Sequence, residues 1–96
     1  MRPISWDPAA LQEFDAALAV SRDATALQVA VDEALQDIAS GRITHAPLPR
    51  APARGCVLSR LPYSIVYTET ATEIRVIAFP HSSRKPGYWK NRLPKP

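Results

Sequence analysis

Four side chains near the end of the chain are of types that transfer protons and bind phosphate. His81, Arg84, Lys85 and Tyr88 fall within eight residues. Cleavage of RNA requires removal of a proton from a 2′-hydroxyl, protonation of the 5′-oxygen and stabilisation of the charge on the phosphorane. Histidine can carry out either proton transfer near neutral pH, arginine and lysine stabilise the charge, and tyrosine can stack on a base. The spacing therefore predicts a candidate site for phosphodiester chemistry.

Two arginines earlier in the chain are expected to reach the same place. We predict a strand over Cys56–Arg60, with Arg60 on it and Arg54 just before it. The candidate catalytic residues are His81, Arg84, Arg60 and Tyr88. The candidate residues for binding RNA or a partner are Arg50, Arg54, Lys85, Trp89 and Lys90.

Each candidate also has a structural explanation, which the sequence leaves open. His81 follows Pro80 and could serve only to hydrogen-bond a turn. Arg84 could contact a partner, or fix the tail through an ion pair. Trp89 is more simply an anchor that holds the C-terminal segment against the sheet. Tyr67 is expected in the core, with its hydroxyl at the core's edge.

The sequence predicts no metal site and no cofactor. Its two histidines, His45 and His81, and its one cysteine, Cys56, lack the spacing of zinc ligands. We interpret Cys56 as a small apolar residue. A chain with one cysteine forms no internal disulfide and is typical of a reducing compartment.

The composition predicts one globular domain over residues 1–96. Hydrophobic residues make up 46% of the chain and charged residues 22%, which argues against a disordered protein. No apolar run approaches the length of a membrane span, and the first residues have no signal-peptide core. We therefore expect a cytoplasmic protein that does not enter a membrane.

Charge is distributed unevenly along the chain. Residues 1–40 contain two basic and seven acidic side chains, a net charge of −5, whereas residues 41–96 contain ten basic and two acidic ones, a net charge of +8. A basic half favours an anionic partner, such as nucleic acid or an acidic protein segment. The alternative is ordinary solvated surface around a core.

The elements that must position the C-terminal residues are two strands joined by a turn. The strand-like runs cover Tyr63–Thr68 and Glu73–Phe79, and the four residues between them suit a hairpin loop. Alternation predicts that Phe79 faces away from Val76. Pro80 ends the second strand because proline cannot donate to a ladder.

A short strand over Pro3–Trp6 and a first helix are predicted at the start of the chain. Asp7 suits the N-cap of the helix, and Pro8 suits its first turn. The apolar stripe of this helix is expected to consist of Leu11, Phe14 and Leu18.

A second helix is predicted to begin at Thr25, where Thr25 to Gln28 fits a capping box. Gly41 suits the left-handed position that follows a helix. The buried stripe of the helix is expected to consist of Leu27, Val31, Ala34, Leu35 and Ile38. The proline- and arginine-rich stretch 42–55 then predicts either a functional loop or a poorly ordered connection.

The order of elements predicts an α+β fold of the type β-α-α-β-β-β, followed by a short helix or turn. Two helices would form a hairpin on one face of a mostly antiparallel, twisted, four-stranded sheet. The other face would be partly open and lined by basic residues.

The C-terminal pattern resembles that of the RelE/ParE superfamily, the toxins of bacterial type II toxin–antitoxin pairs. An LPY motif, a hydrophobic hairpin and then H-x-x-R-x-P-x-Y-W carry the resemblance, which extends over Arg54–Leu93. The matching residues are Pro62, Tyr63, Tyr67, His81, Arg84, Pro86, Tyr88 and Trp89. Proteins named plasmid stabilisation proteins share this tail.

The resemblance implies a toxin with a small RelE/ParE-like fold, and it implies two possible targets. Ribosome-dependent members cleave mRNA, which is the function that we predict first. ParE-type members inhibit DNA gyrase without cleaving RNA. This chain lacks the lysine-rich middle segment of the ribonucleases and a second histidine near His81, which favours the gyrase inhibitor as the alternative. A third interpretation is a degenerate, non-toxic relative that only binds an antitoxin. In every case the resemblance implies a cognate antitoxin in a hetero-oligomer.

Overall fold

The computed structural model describes residues 1–93, and its elements follow the predicted order. Three-residue strand β1 (Ile4–Trp6) precedes helices α1 (Pro8–Val20) and α2 (Ala24–Ala39). Strands β2 (Arg54–Val57), β3 (Ser64–Glu69) and β4 (Ile74–Ala78) follow, and a 3₁₀ turn (Lys90–Arg92) ends the described chain. No helix within residues 1–93 combines the length and apolarity needed to cross a membrane.

Asp7 begins α1 as the sequence predicts, but the buried stripe of the helix differs from the prediction. The carboxylate of Asp7 accepts a hydrogen bond from the backbone N–H of Ala9, and proline occupies the first turn. The buried residues are Ala10, Phe14 and Ala17, whereas Leu11 is 44% exposed. The helix therefore turns small side chains toward the sheet, which lets its backbone lie close to β4.

The predicted start of α2 at Thr25 is wrong by two residues. Asp23 is the N-cap, because its side chain accepts a hydrogen bond from the N–H of Ala26. Thr25 therefore lies inside the first turn. Gly41 has a φ of +80°, as predicted for the residue that follows the helix.

The sheet has the strand order β1-β4-β3-β2. β2 and β3 pair antiparallel, as do β3 and β4, whereas β1 pairs parallel with β4, with Ile4 opposite Ile74. The mostly antiparallel sheet of the prediction is thus confirmed. The two helices cover one face of it in a cluster that includes Phe14, Val31, Tyr67 and Val76.

Two predictions about the strands are wrong. The strand expected over Cys56–Arg60 is Arg54–Val57 instead, and Arg60 lies in a turn with a φ of +63°, closed by a hydrogen bond from Leu58 N to Tyr63 O. The predicted side of Phe79 is also wrong, because a bulge in β4 changes the face of the sheet on which this residue lies.

The bulge arises because Val66 pairs with Ala78 and Tyr67 with Val76, so β4 contains one extra residue, Ile77. It returns Phe79 to the helix side of the sheet, where its ring meets Phe14 at 5.1 Å.

The sequence predicts a partly open second face of the sheet. In the structure a smaller apolar cluster covers the centre of this face. Trp89, which is 5% exposed, packs there with Ala53, Val66, Ile77 and Ala78. The stretch 42–53 is also fixed to the molecule. His45 Nδ1 lies 2.9 Å from the hydroxyl of Tyr67, and Arg54 donates to the backbone oxygen of His45.

Candidate functional site

A cleft of about 310 Å³ lies between α1 and the segment that follows β4. Three of the predicted site residues, His81, Arg84 and Tyr88, line it together. The other lining residues are Glu13, Ala16, Ala17, Val20, Tyr63, Phe79 and Pro80. The fold therefore groups these three candidates on the α1 side of the strand end, rather than on the basic sheet face that the sequence predicts.

Backbone hydrogen bonds hold the segment after β4 in place. Ser64 N donates to Pro80 O, and Ser82 N donates to Pro62 O at 2.8 Å. Arg84 N donates to His81 O at 2.9 Å, which closes a turn. Because these bonds tie the segment to the start of β3, the side chains at the cleft do not depend on a free loop.

The imidazole of His81 is exposed and accepts a hydrogen bond through Nδ1. The donor is the backbone N–H of Ser83, at 3.0 Å, and the Ser83 hydroxyl lies 2.8 Å from the same nitrogen. This network assigns the proton of the neutral ring to Nε2. The exposed nitrogen of neutral His81 is thus a donor, so the ring can bind an anion but has no free lone pair with which to accept a proton.

The ring of Tyr88 lies against two guanidinium groups. Arg84 stacks over it with its guanidinium carbon 4.0 Å from the ring centre, and the corresponding distance for Arg92 is 5.2 Å. The Tyr88 hydroxyl is buried and makes no hydrogen bond within residues 1–93. Burial, followed by the nearby Glu13 carboxylate, raises the pKa of this hydroxyl to about 12.

Glu13 and Arg92, which the sequence analysis does not single out, hold the site together. Arg92 donates to both carboxylate oxygens of Glu13, at 3.0 and 3.2 Å, and to Ile77 O at 3.1 Å. Glu13 also accepts from the backbone N–H of Phe79 at 3.0 Å. Burial acts to raise the pKa of Glu13, but these hydrogen bonds outweigh it and the pKa lies below its ordinary value.

The structure does not bring the other three candidate arginines of the sequence analysis to the cleft. Arg54 pairs with Glu69 at 3.5 Å, at the other end of β3. Arg50 has a φ of +58° and lies exposed in the turn between Pro47 and Arg54. The turn that carries Arg60 adjoins residues 81–82 through the bond from Ser82 N to Pro62 O, but the Arg60 side chain does not line the cleft.

The aromatic and lysine candidates divide between core and surface. Trp89 is buried in the second cluster, which agrees with the interpretation that it anchors the tail. Lys85 and Lys90 are exposed. No group of three or more histidine, cysteine or acidic side chains within residues 1–93 is arranged to hold a metal ion.

The cleft is therefore better suited to binding than to proton transfer. It offers a cation held flat on an aromatic ring, an imidazole N–H and apolar walls. The nearby carboxylate of Glu13 is occupied by Arg92 and Phe79, and the phenol of Tyr88 keeps its proton at neutral pH. Neither group is a ready general base.

Comparison with solved structures identifies the fold. No family model and no curated protein matches the chain. Among solved structures, the chain is similar to one from the chromosomal ParDE TA system of P. aeruginosa, with a TM-score of 0.67 and 17% sequence identity. The match covers 84% of this chain and 96% of that one. It confirms the RelE/ParE-like fold that the C-terminal pattern predicts.

Proposed function

We propose that this chain is the toxin of a bacterial type II toxin–antitoxin pair, acts in the cytoplasm and is neutralised by a cognate antitoxin. The observation that carries the proposal is the match to a chain of a ParDE TA system over 96% of that chain's length. Arg42, Arg75 and Arg92 pair with carboxylates of residues 1–40, but other cations of the basic half, such as Arg84 and Lys85, are exposed and would steer an acidic antitoxin segment.

We infer further that the toxin acts by binding a protein target of the DNA gyrase type. The inference rests on the lack of a ready base at the cleft, since His81 Nδ1 accepts from Ser83 and the hydroxyl of Tyr88 has a pKa of about 12. A binding toxin needs a presented surface, and the stacked guanidinium of Arg84 supplies one. No proton transfer is required of it.

Ribosome-dependent cleavage of mRNA is the second candidate function. The observation in its favour is that His81, Arg84 and Tyr88 line one cleft. Arg84 would stabilise the charge on phosphate, and the imidazolium form of His81 would donate its Nε2 proton to the leaving 5′-oxygen and return to the neutral ring. This mechanism requires the ribosome or the RNA itself to supply the base, because the described residues at the cleft do not.

Macromolecular labelling after induction of the chain in a bacterial host separates the two targets. A gyrase inhibitor lowers thymidine incorporation first and induces the SOS response, whereas a ribonuclease lowers methionine incorporation first. Purified gyrase should then lose supercoiling activity at micromolar concentrations of the protein. Normal growth and unchanged labelling would contradict the toxin proposal itself.

Two variants at the cleft give the labelling a matched comparison. Arg84→Ala should abolish toxicity for either target, because both candidate functions use the guanidinium of Arg84. His81→Ala should weaken gyrase inhibition by no more than about fivefold, since a binding surface loses one exposed hydrogen-bond donor, worth about 0.5–1 kcal/mol. A loss of toxicity of about a hundredfold or more in His81→Ala, with methionine labelling affected first, would instead support the ribonuclease. General acid catalysis typically contributes at least about a hundredfold to the rate.

A further inference from the structure

The outer edge of β2 has one backbone position that is left unpaired within residues 1–93. β2 is the last strand of the sheet, with β3 on one side of it. Val57 lies opposite Ser64, but Ser64 N donates on the β4 side, to Pro80 O. Bonded and non-bonded pairs alternate along an antiparallel ladder, so Val57 must direct its own N–H and C=O away from β3, toward the free edge.

The chain itself already covers the remainder of this edge. Gly55, two residues before Val57, also faces outward, but the 42–53 stretch lies against it. Leu48 N donates to Ala53 O at 2.8 Å. A methyl group added at Gly55 would stand 3.1 Å from the Leu48 side chain. A long strand of another protein therefore could not pair along β2 without displacing this stretch.

Apolar surface surrounds the unpaired position on both faces of the sheet. Alternation turns Cys56 toward the helices and Val57 toward the second face, where the Val57 side chain is 81% exposed. On the helix side, a groove of about 380 Å³ lies between β2 and α2, and Ala34 and Ile43 are among its walls. Ile43 is itself 43% exposed. Unpaired backbone with exposed apolar side chains beside it is typical of an edge that pairs with another chain.

We propose that two copies of this chain associate through this edge, around a two-fold axis at Val57. The N–H of each Val57 donates to the C=O of the other, which joins the two four-stranded sheets into one. The two Val57 side chains lie side by side on one face, and the two grooves between β2 and α2 adjoin on the other. A second copy fits because a two-fold axis uses a single position on each edge, and the structure leaves a single position free.

The charges at the groove distinguish this dimer from other contacts. Glu33 and Asp37 line the groove, and Asp37 pairs with Arg42 at 3.5 Å. The carboxylate of Glu33 is exposed and forms no ion pair within the described part of the chain. The dimer brings the two Glu33 side chains to the same side of the sheet, and salt screens their repulsion. Added salt should therefore strengthen this dimer, whereas it should weaken a contact between the acidic helices of one copy and the basic half of another.

Sedimentation equilibrium of the purified chain tests the proposal between about 5 µM and 1 mM protein. We expect the monomer of 10.6 kDa to reach twice this mass at high concentration. The Kd should lie between about 10 µM and 1 mM, because so short an edge buries less area than a stable interface does. It should fall about two- to threefold when NaCl is raised from about 50 to 300 mM.

A dilution series of the ¹⁵N-labelled protein locates the contact. The amide of Val57 should move to lower field as the protein concentration rises, because it gains a hydrogen bond. The amides of residues 81–88 should stay in place, because they lie at the cleft and not at this edge.

Two valines give a matched pair of variants. Val57→Lys places two ammonium groups at the axis and should raise the Kd at least about tenfold. Val20→Lys makes the same change at a valine that is 77% exposed and lies at the cleft instead. Its Kd should stay within about twofold of that of the unchanged protein, because the added charge is screened.

Any of three results would overturn the inference. They are a monomer that persists at about 1 mM protein, concentration-dependent shifts centred away from Val57, and equal effects of the two lysine substitutions. Association that weakens as salt is added would identify a charged contact in place of the proposed edge. The lining of the cleft and that of the groove share no residue, so loss of the dimer would leave the proposed toxin function intact.

Discussion

Glu13 joins three parts of the molecule through one carboxylate. It lies on α1, accepts from the backbone of Phe79 beyond the end of β4, and pairs with Arg92 in the C-terminal 3₁₀ turn. Glu13 and Arg92 are each 18% exposed in their side chains. A pair in this position is screened less by solvent than a surface pair, and loss of one partner leaves the other without its hydrogen bonds.

Glu13→Gln should therefore lower the free energy of unfolding at pH 7 by about 1–3 kcal/mol. The pKa of Glu13 lies below its ordinary value of 4.5 in the folded protein. Its contribution is thus present above pH 4.5 and lost as the pH falls through the lower, folded value. Urea unfolding followed by circular dichroism should show a difference between the two proteins at pH 7 that shrinks as the pH falls below 4.5.

Asp15→Asn is the control for this variant. Asp15 is exposed on the same helix and forms no ion pair within residues 1–93, so its substitution should change stability by less than about 0.5 kcal/mol. An equal loss in both variants, or a Glu13→Gln difference that does not begin to shrink as the pH falls below 4.5, would contradict the role assigned to the Glu13 carboxylate.

Sequence proximity decided which site residues could be predicted. His81, Arg84 and Tyr88 were identified as a group because they are neighbours in the chain, and the structure does place them at one cleft. Glu13 and Arg92 are 79 residues apart, and no local pattern connects a helix glutamate to a distant arginine. Arg54 and Arg60 were expected to converge because their strand was misplaced, and strand boundaries in short, weakly patterned runs are poorly specified.

At the scale of elements, the two helices show what capping signals can and cannot specify. The start of α1 could be predicted because Asp7 and Pro8 both favour the same N-terminal boundary of the helix. For α2 the capping box at Thr25 predicts a start two residues late, because Asp23 is also a favoured N-cap residue type and the structure uses it. The bulge in β4 had no such signal, because Ile77 fits a regular strand as well as a bulge.

Two substitutions distinguish the start of α2 directly. Asp23→Ala should lower the free energy of unfolding by about 1 kcal/mol, because the N–H of Ala26 loses its acceptor. Thr25→Ala should be neutral or slightly stabilising, because alanine is the better residue inside a helix. Chemical denaturation of both variants measures the difference, and a larger loss in Thr25→Ala would restore the capping box that the sequence predicts.

At the scale of the whole molecule, the segment that follows β4, as far as residue 93, is part of the fold rather than an appendage. Trp89 closes the second face of the sheet, and residues of the 42–53 stretch complete the same cluster. The order of elements and the helix-covered face were predictable, because capping, periodicity and turn residues agree on them. For the second face, the sequence predicts Trp89 as an anchor but not the contribution of the 42–53 stretch, because that irregular segment carries no periodic pattern.

Trp89→Ala should cost about 3–5 kcal/mol, the usual loss for removal of a large buried aromatic side chain. A domain of this size has a total stability of about 5–15 kcal/mol, so the variant should melt at a much lower temperature. Lys90→Ala, at the exposed neighbouring residue, serves as the control. Thermal unfolding of both proteins measures the effect, and equal melting temperatures would show that Trp89 does not stabilise the sheet.

The parallel pairing of β1 with β4 has a consequence for synthesis. Ile4 has no strand partner until Ile74 has been made, whereas both helices are complete by residue 39. At a translation rate of about 5–20 residues per second, the helical hairpin waits about 2–8 s for the last strand. During that interval β4 is missing, so neither the complete sheet nor the cleft exists, and a ribosome-bound chain stopped at residue 70 should be digested readily by protease. The cleft is lined by residues of both α1 and the segment that follows β4, so it forms only after residue 88 has been synthesised.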